Sequence, residues 1–263
     1  MLKTRIFTAI FGIPILLGAL YLGGLVWQLL VFVLTTVALG EYLSMIRIKV
    51  GHALHVPAYL LTYLLLLGPL WTEDLKLTLG LGLLVLIGSL LLRYPDLQLE
   101  DVALSLTGAI YCGFTFNFAL IMREAGQPWI YLLLALLLTW SSDVGGYAFG
   151  RLWGRNKLAP ALSPSKTWEG ALGAVIFSIS TAMLFGLAVS YLDIIWWQAA
   201  LIGIIASLAA QIGDLWESSI KRWAGVKDAG RILPGHGGVL DRFDSFMLVL
   251  PVMYYGLKLL GQG

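Results

Sequence analysis

Charge is what this chain has least of. Asp, Glu, Lys and Arg together make up 12% of its 263 residues, against roughly 25% in soluble domains. That deficit excludes an ordinary water-soluble fold, and no polar stretch is long enough to form a second, soluble domain. Cysteine is almost missing too. Cys112 stands alone in an apolar stretch, which excludes a disulfide framework and a cysteine-based metal site. Other motifs are also absent: a Walker phosphate loop, a His-Glu-x-x-His zinc helix, and the nucleophile elbow of a serine hydrolase. No internal repeat, low-complexity tract or coiled-coil heptad is found.

What remains is hydrocarbon-seeking sequence: 59% of residues are hydrophobic and the mean hydropathy is +0.86. A bilayer-crossing helix needs about 20 mostly apolar residues. Windows of that kind lie at 6–23, 25–46, 54–71, 75–92, 102–122, 128–149, 169–191, 196–220 and 240–260. The runs are continuous rather than alternating, so helices are expected. The reading is an all-α, polytopic integral membrane helix bundle of about nine transmembrane helices. It forms one membrane-embedded domain over 1–263, with less informative helices in 1–125 and catalytic helices and loops in 126–263. Lys3-Thr4-Arg5 before an apolar run imitates a signal peptide, but no clean cleavage site follows, so the first span is expected to stay. Turn chemistry marks the breaks: Gly23-Gly24, Pro57, Pro69, Tyr94-Pro95-Asp96, Gly126-Gln127-Pro128 and Pro160. Almost nothing separates the first two spans, which suits a tight hairpin.

Lys and Arg set the orientation. The connections after the second, fourth, sixth and eighth spans collect most of them, including Arg47, Arg93, Arg151, Arg155, Lys166, Lys221 and Arg231. Lys3, Arg5, Lys76, Arg123 and Lys258 fall on the other side. The richer side is expected in the cytoplasm, and it owns the two most polar segments, 151–169 and 221–244.

Those segments carry the chemistry. In QIGDLWESSIKR, residues Gln211, Asp214, Ser218 and Lys221 share a helical face, with Glu217 beside it. An acid at membrane depth costs about 2.5–3.5 kcal/mol on insertion scales. It therefore answers either to a structural ion pair with a lysine or to a site. Asp241 and Asp244 share a face at the start of the last span; a first helical turn favours acids through its dipole, which is the plainer explanation. Two acid pairs joined by one loop repel unless a cation lies between them, and hard oxygen donors suit Mg²⁺ held by carboxylates and substrate phosphates.

Between the pairs runs Pro234-Gly235-His236-Gly237-Gly238. Its backbone N–H groups could cradle a phosphate, or the glycines simply turn the chain, with His236 a hydrogen-bonded loop residue. Before the seventh span lies Ser163-Pro164-Ser165-Lys166-Thr167-Trp168-Glu169-Gly170. Ser163 or Ser165 is placed to cap that helix, and Lys166 suits a phosphate. Lys166, Arg151, Arg155 and Lys157 would equally serve topology or anionic lipid. Ser141-Ser142-Asp143-Val144-Gly145-Gly146-Tyr147 offers either a polar pocket around Asp143 or a close helix contact through small residues. Glu41 is a lonelier intramembrane acid, for which a structural role is equally open.

The run Ser218-x-Ile220-Lys221-Arg222, Lys227-Asp228, Gly230, Leu233-Pro234-Gly235-His236-Gly237-Gly238 and Asp241-Arg242-Phe243-Asp244 resembles the signature of CDP-diacylglycerol synthases (phosphatidate cytidylyltransferases). Ser163–Gly170 and Gly150-Arg151 extend the likeness over the C-terminal half; Asp143 sits in Asp-Val-Gly-Gly-Tyr, a departure from that family's Asp followed by a small or hydroxyl residue and Ala-Tyr. The resemblance implies a membrane enzyme of phospholipid biosynthesis in the inner membrane, a homodimer working at the cytoplasmic face. It implies that CTP and phosphatidate give CDP-diacylglycerol and pyrophosphate, with Mg²⁺ and with room for a second cation. No nucleic acid is implied.

Residues and resemblance together set the expected roles. Asp214, Asp241 and Asp244 would hold Mg²⁺, and catalytic duties fall on them with Lys166, Lys227, Asp228 and His236. Substrates would meet Asp143, Arg151, Ser165, Lys166, Glu217, Lys221, Arg222, Arg231, Gly235, Gly237, Gly238 and Arg242. A lipid kinase releasing a nucleoside diphosphate is the rival enzyme. A transporter is the rival of another class, although it would favour broken midplane helices in repeated halves.

Overall fold

A computed structural model describes residues 2–50, 53–68, 75–124, 129–189 and 194–261. The expected breaks at Pro69 and Gly126-Gln127-Pro128, the expected span ends at 71, 128 and 191, and the side chains of Lys3 and Arg5 lie outside the described residues. The chain folds as α1 Leu2–Leu22, α2 Gly24–Val50, α3 His55–Leu67, α4 Leu75–Leu92, α5 Leu99–Ala109, a π-helical turn Ile110–Phe114, α6 Thr115–Glu124, α7 Trp129–Leu152, β1 Lys157–Ala159, β2 Ser163–Thr167, α8 Trp168–Ala188, α9 Trp196–Ala224 and α10 Leu240–Leu259.

The all-α expectation holds, and each expected span has its helix, with α5, the π turn and α6 forming the fifth. Among the described residues, five spans are long and apolar enough to cross a membrane by themselves: Gly24–Val50, Leu99–Arg123, Trp129–Leu152, Trp168–Ala188 and Trp196–Ala224. Thr8–Leu22, His55–Leu67 and Lys76–Leu92 are shorter apolar helices. The protein is an integral membrane protein. The basic connection 151–169 is not a plain loop, since it contains an antiparallel hairpin pairing Lys157 with Thr167 and Ala159 with Ser163.

The described residues group into two compact units, Met1–Ala125 with Ile220–Phe243 and Gly126–Ser219 with Asp244–Gly263. In the first, α3 packs with α4, α5 and the π turn, and α2 with α1, α5 and α6. Its core includes Leu61, Leu65, Leu86, Val102 and Ala109. Lipid is as apolar as these side chains, so apolar burial alone does not join membrane helices; close packing and interhelical hydrogen bonds do. Trp27 Nε1 donates to Ala119 O at 2.8 Å, Asn117 Nδ2 to Leu66 O at 2.6 Å and Tyr42 Oη to Leu104 O at 3.1 Å. At the π turn, a Cβ on Gly113 would stand 2.6 Å from Thr62 O, so glycine there admits the neighbouring backbone.

In the second unit α7 lies against α8 through glycine. A Cβ on Gly145 would fall 2.5 Å from Gly173 O, and one on Gly170 2.8 Å from Gly146 O. Small residues let two backbones touch in this way. Ser178 Oγ adds a bond to Leu138 O at 3.3 Å. Gly203 of α9 meets the backbone of Ser178 and Ile179, and Gly213 meets Asp244 and Ser245 of α10.

Candidate active site

The glycine contact between α7 and α8 leaves a cavity of about 360 Å³ in the second unit, lined by α7, the hairpin, α8 and α9. Asp143, Gly146, Tyr147, Gly150 and Arg151 of α7 face it, offset by three, four, seven and eight from the first, one stripe of a helix. Ala210, Gln211 and Asp214 do the same on α9, and Ser165, Lys166 and Thr167 come from β2.

Local bonds hold these groups. Thr167 caps α8, its Oγ1 accepting from Gly170 N at 3.1 Å. The expectation that Ser163 or Ser165 caps this helix is thereby corrected: the hairpin carries both into β2, and Thr167 is the last residue before the helix. Glu169 accepts from the backbone of Arg155 at 3.1 Å and of Asn156 at 3.2 Å, and from Asn156 Nδ2 at 2.8 Å. That grip fastens the start of the hairpin to the start of α8. Gln211 Nε2 donates to Ala171 O at 3.3 Å and Ser207 Oγ at 3.1 Å, and Ser207 in turn bonds Ser142 at 3.0 Å.

At the centre, Lys166 Nζ stands 2.5 Å from Asp214 Oδ2, the side chains 22% and 36% exposed. Ser218 Oγ donates to Asp214 Oδ1 at 3.4 Å. Arg151 Nη1 donates to Tyr147 Oη at 2.5 Å, and its guanidinium lies 5.9 Å from the ring centroid. Two acids and two bases therefore share one cavity, with room for a charged ligand. Of the residues expected at a site, Asp143, Arg151, Ser165, Lys166 and Asp214 meet here. Glu217 and Asp244 belong to this unit but are buried, at 0% and 9% exposure. Asp244 Oδ1 accepts from Ser245 N at 2.7 Å.

A second set gathers in the first unit, around Asp241. Lys221 Nζ meets Asp241 Oδ1 at 2.7 Å, with side-chain exposures of 15% and 5%. Asp241 Oδ2 accepts from Ala229 N at 2.9 Å and Gly238 N at 2.8 Å. The loop turns through Gly235 and Gly237, at φ +77° and +84°, angles that glycine adopts without steric cost. Leu233 N donates to Gly237 O and His236 N to Leu233 O, both at 2.9 Å. Arg242 Nε donates to His236 O at 3.0 Å. The N–H groups of His236 and Gly238, expected to face a phosphate, are thus engaged inside the loop. Arg222, Lys227, Asp228 and Arg231 are exposed.

Sequence reasoning missed the hairpin, the work of Thr167 and Glu169, and Tyr147 as the partner of Arg151. The signal for Thr167 was present: a hydroxyl residue immediately before an apolar run.

Carboxylate oxygens are the donors that Mg²⁺ prefers, and it commonly takes one or two of them plus phosphates. The cavity meets that requirement: Asp143 and Asp214 line it, and Asp214 already holds a cationic ammonium in contact. Among the described residues no three His, Cys, Asp or Glu cluster as a ready-made cage.

A family model described as the cytidylyltransferase family matches residues 3–260. Similar curated proteins share the name phosphatidate cytidylyltransferase. One from Staphylococcus saprophyticus is 39% identical over 259 residues, covering 96% of this chain and 97% of that protein. Others from Staphylococcus haemolyticus and Staphylococcus aureus are 40% and 38% identical, with the same coverage of both chains.

Proposed function

The chain belongs to the cytidylyltransferase family, and from that premise we propose that it joins CTP to phosphatidate, giving CDP-diacylglycerol and pyrophosphate. The observation that carries the reading is the Lys166–Asp214 pair inside a cavity also lined by Asp143 and Arg151. An anionic substrate competes with Asp214 for Lys166, and binding it turns the ammonium from a partner of the protein into a partner of phosphate. Arg151, braced on Tyr147, presents a fork suited to a second phosphate oxygen. A phosphomonoester is largely ionised at neutral pH, so the lipid phosphate needs no strong base. Its oxygen forms the new bond to the α-phosphorus of CTP as the bond to pyrophosphate breaks. The protein's contribution is position and charge.

Asp214 and Asp143 are the residues that would hold Mg²⁺, which when bound supplies neutralisation of the triphosphate and of the departing pyrophosphate. Asp241 and Asp244 are the other carboxylates offered as ligands: Asp241 would exchange its bonds to Lys221, Ala229 N and Gly238 N for the ion, while Asp244 accepts from Ser245 N through Oδ1. The same reading carries a homodimer, the inner membrane, and a cavity open to the cytoplasm, where CTP is found; the Lys and Arg distribution supports that side. The acyl chains stay in lipid.

The test is purified protein with labelled CTP and phosphatidate, with and without EDTA. Labelled lipid and pyrophosphate are expected in equal amounts, and chelation should abolish both. Release of CDP with a doubly phosphorylated lipid would identify a kinase instead.

A further inference from the structure

Glu41, the isolated acid of α2, is 5% exposed. Its Oε1 accepts from Val239 N at 3.1 Å and its Oε2 from Leu240 N at 2.8 Å. α10 begins at Leu240, so these N–H groups belong to a helix start that no carbonyl of the helix reaches. The residue just before the helix normally caps it with a side-chain oxygen. Here that residue is Val239, which has none. A carboxylate from a helix 198 and 199 positions away in sequence does the work, and its charge opposes the positive end of the helix dipole.

Two glycines point to the same residue independently. A Cβ on Gly230 would lie 2.2 Å from Glu41 Oε1, and one on Gly238 2.5 Å from Oε2. Neither glycine has a positive φ. Backbone conformation does not require glycine at either position; the space filled by Glu41 does. Gly238 also donates its N–H to Asp241, the partner of Lys221. The chain of contact runs from Glu41 through Gly238 to Asp241.

We propose that Glu41 is a positioning residue for the signature segment: its carboxylate, wedged between Gly230 and Gly238 and bonded to the start of α10, fixes where Asp241 and Lys221 stand. Only the kinetic arm of its test rests on the cytidylyl-transfer reading.

That test uses the full chain in detergent–lipid micelles as wild type, Glu41→Gln, Glu41→Ala, Gly238→Ala, and Glu41→Ala with Gly238→Ala. Trypsin cleavage at exposed Lys227 and Arg231 reports the order of the segment without substrate. Each single variant should speed cleavage about tenfold, a lost cap or a blocked space being enough to loosen the loop. In the Glu41→Ala background, Gly238→Ala should add less than about twofold, because the obstacle is gone. For Glu41→Gln, kcat should fall about tenfold while KM for CTP stays within about threefold.

An equal effect of Gly238→Ala in both backgrounds overturns the proposal. So does a Glu41→Gln protein with wild-type cleavage and kcat. If Glu41→Ala does not accumulate, Glu41→Asp, whose carboxylate is drawn back by one methylene, takes its place with the same criteria. A wild type that makes no CDP-lipid would overturn the reaction proposed above, and the cleavage cycle would still decide on Glu41.

Discussion

Lys166–Asp214 and Lys221–Asp241 are both lysine–aspartate ion pairs, yet their surroundings set them apart. Asp214 is 36% exposed in its cavity, where water screens the pair and its net worth is about 0–1 kcal/mol. Asp241 is 5% exposed and also receives two backbone N–H groups. Removing one partner of a buried pair costs about 3–5 kcal/mol. Asp214→Asn should therefore lower kcat by about a hundredfold or more with little change in thermal midpoint. Asp241→Asn should lower both. Activity assays beside thermal unfolding in detergent separate the two; equal destabilisation would remove the distinction. Both acids were legible in the sequence from spacing and depth. Their partners were not, because nothing in a single sequence says which lysine a given carboxylate will face. Glu41 is the clearest case, since its partners are backbone groups at the far end of the chain.

The helices themselves could be read from continuous apolar runs, because lipid demands that each span satisfy its own backbone. Two departures escaped. The π turn at Ile110–Phe114 alters backbone register without altering hydropathy, and the hairpin 157–167 is too short and polar for any apolar window. The α7–α8 contact was visible only as small residues in Gly145-Gly146 and Gly170-x-x-Gly173, and the packing separates the two glycines of the first pair. A Cβ on Gly145 would stand 2.5 Å from Gly173 O, whereas one on Gly146 finds its nearest neighbour at 3.7 Å. Gly145→Ala should cost about 1–3 kcal/mol by overpacking. Gly146→Ala should leave the thermal midpoint near wild type. Reversal of that order would mean that the helices do not meet through Gly145.

For the molecule as a whole, the proposed orientation is open to a chemical test. Cys112 is 0% exposed, so the native thiol should be silent to impermeant maleimides. Arg155, exposed near the start of the hairpin, is a convenient place for a reporter. Arg155→Cys should label in inverted vesicles and stay unlabelled in intact cells; labelling of intact cells would place the hairpin outside. The count of Lys and Arg is what the proposed side rests on; the grouping of the described residues into two units was not legible in the sequence, because residues 220–243 join the N-terminal part through contacts such as Glu41 with Val239.

That contact also has a temporal side. Glu41 leaves the ribosome early, and the amides that answer it arrive 198 and 199 residues later. A polypeptide released short of Val239 would carry an orphaned carboxylate within the bilayer, a defect that membrane proteases can act upon. The carboxylate gains its cap only once Val239 and Leu240 have been made.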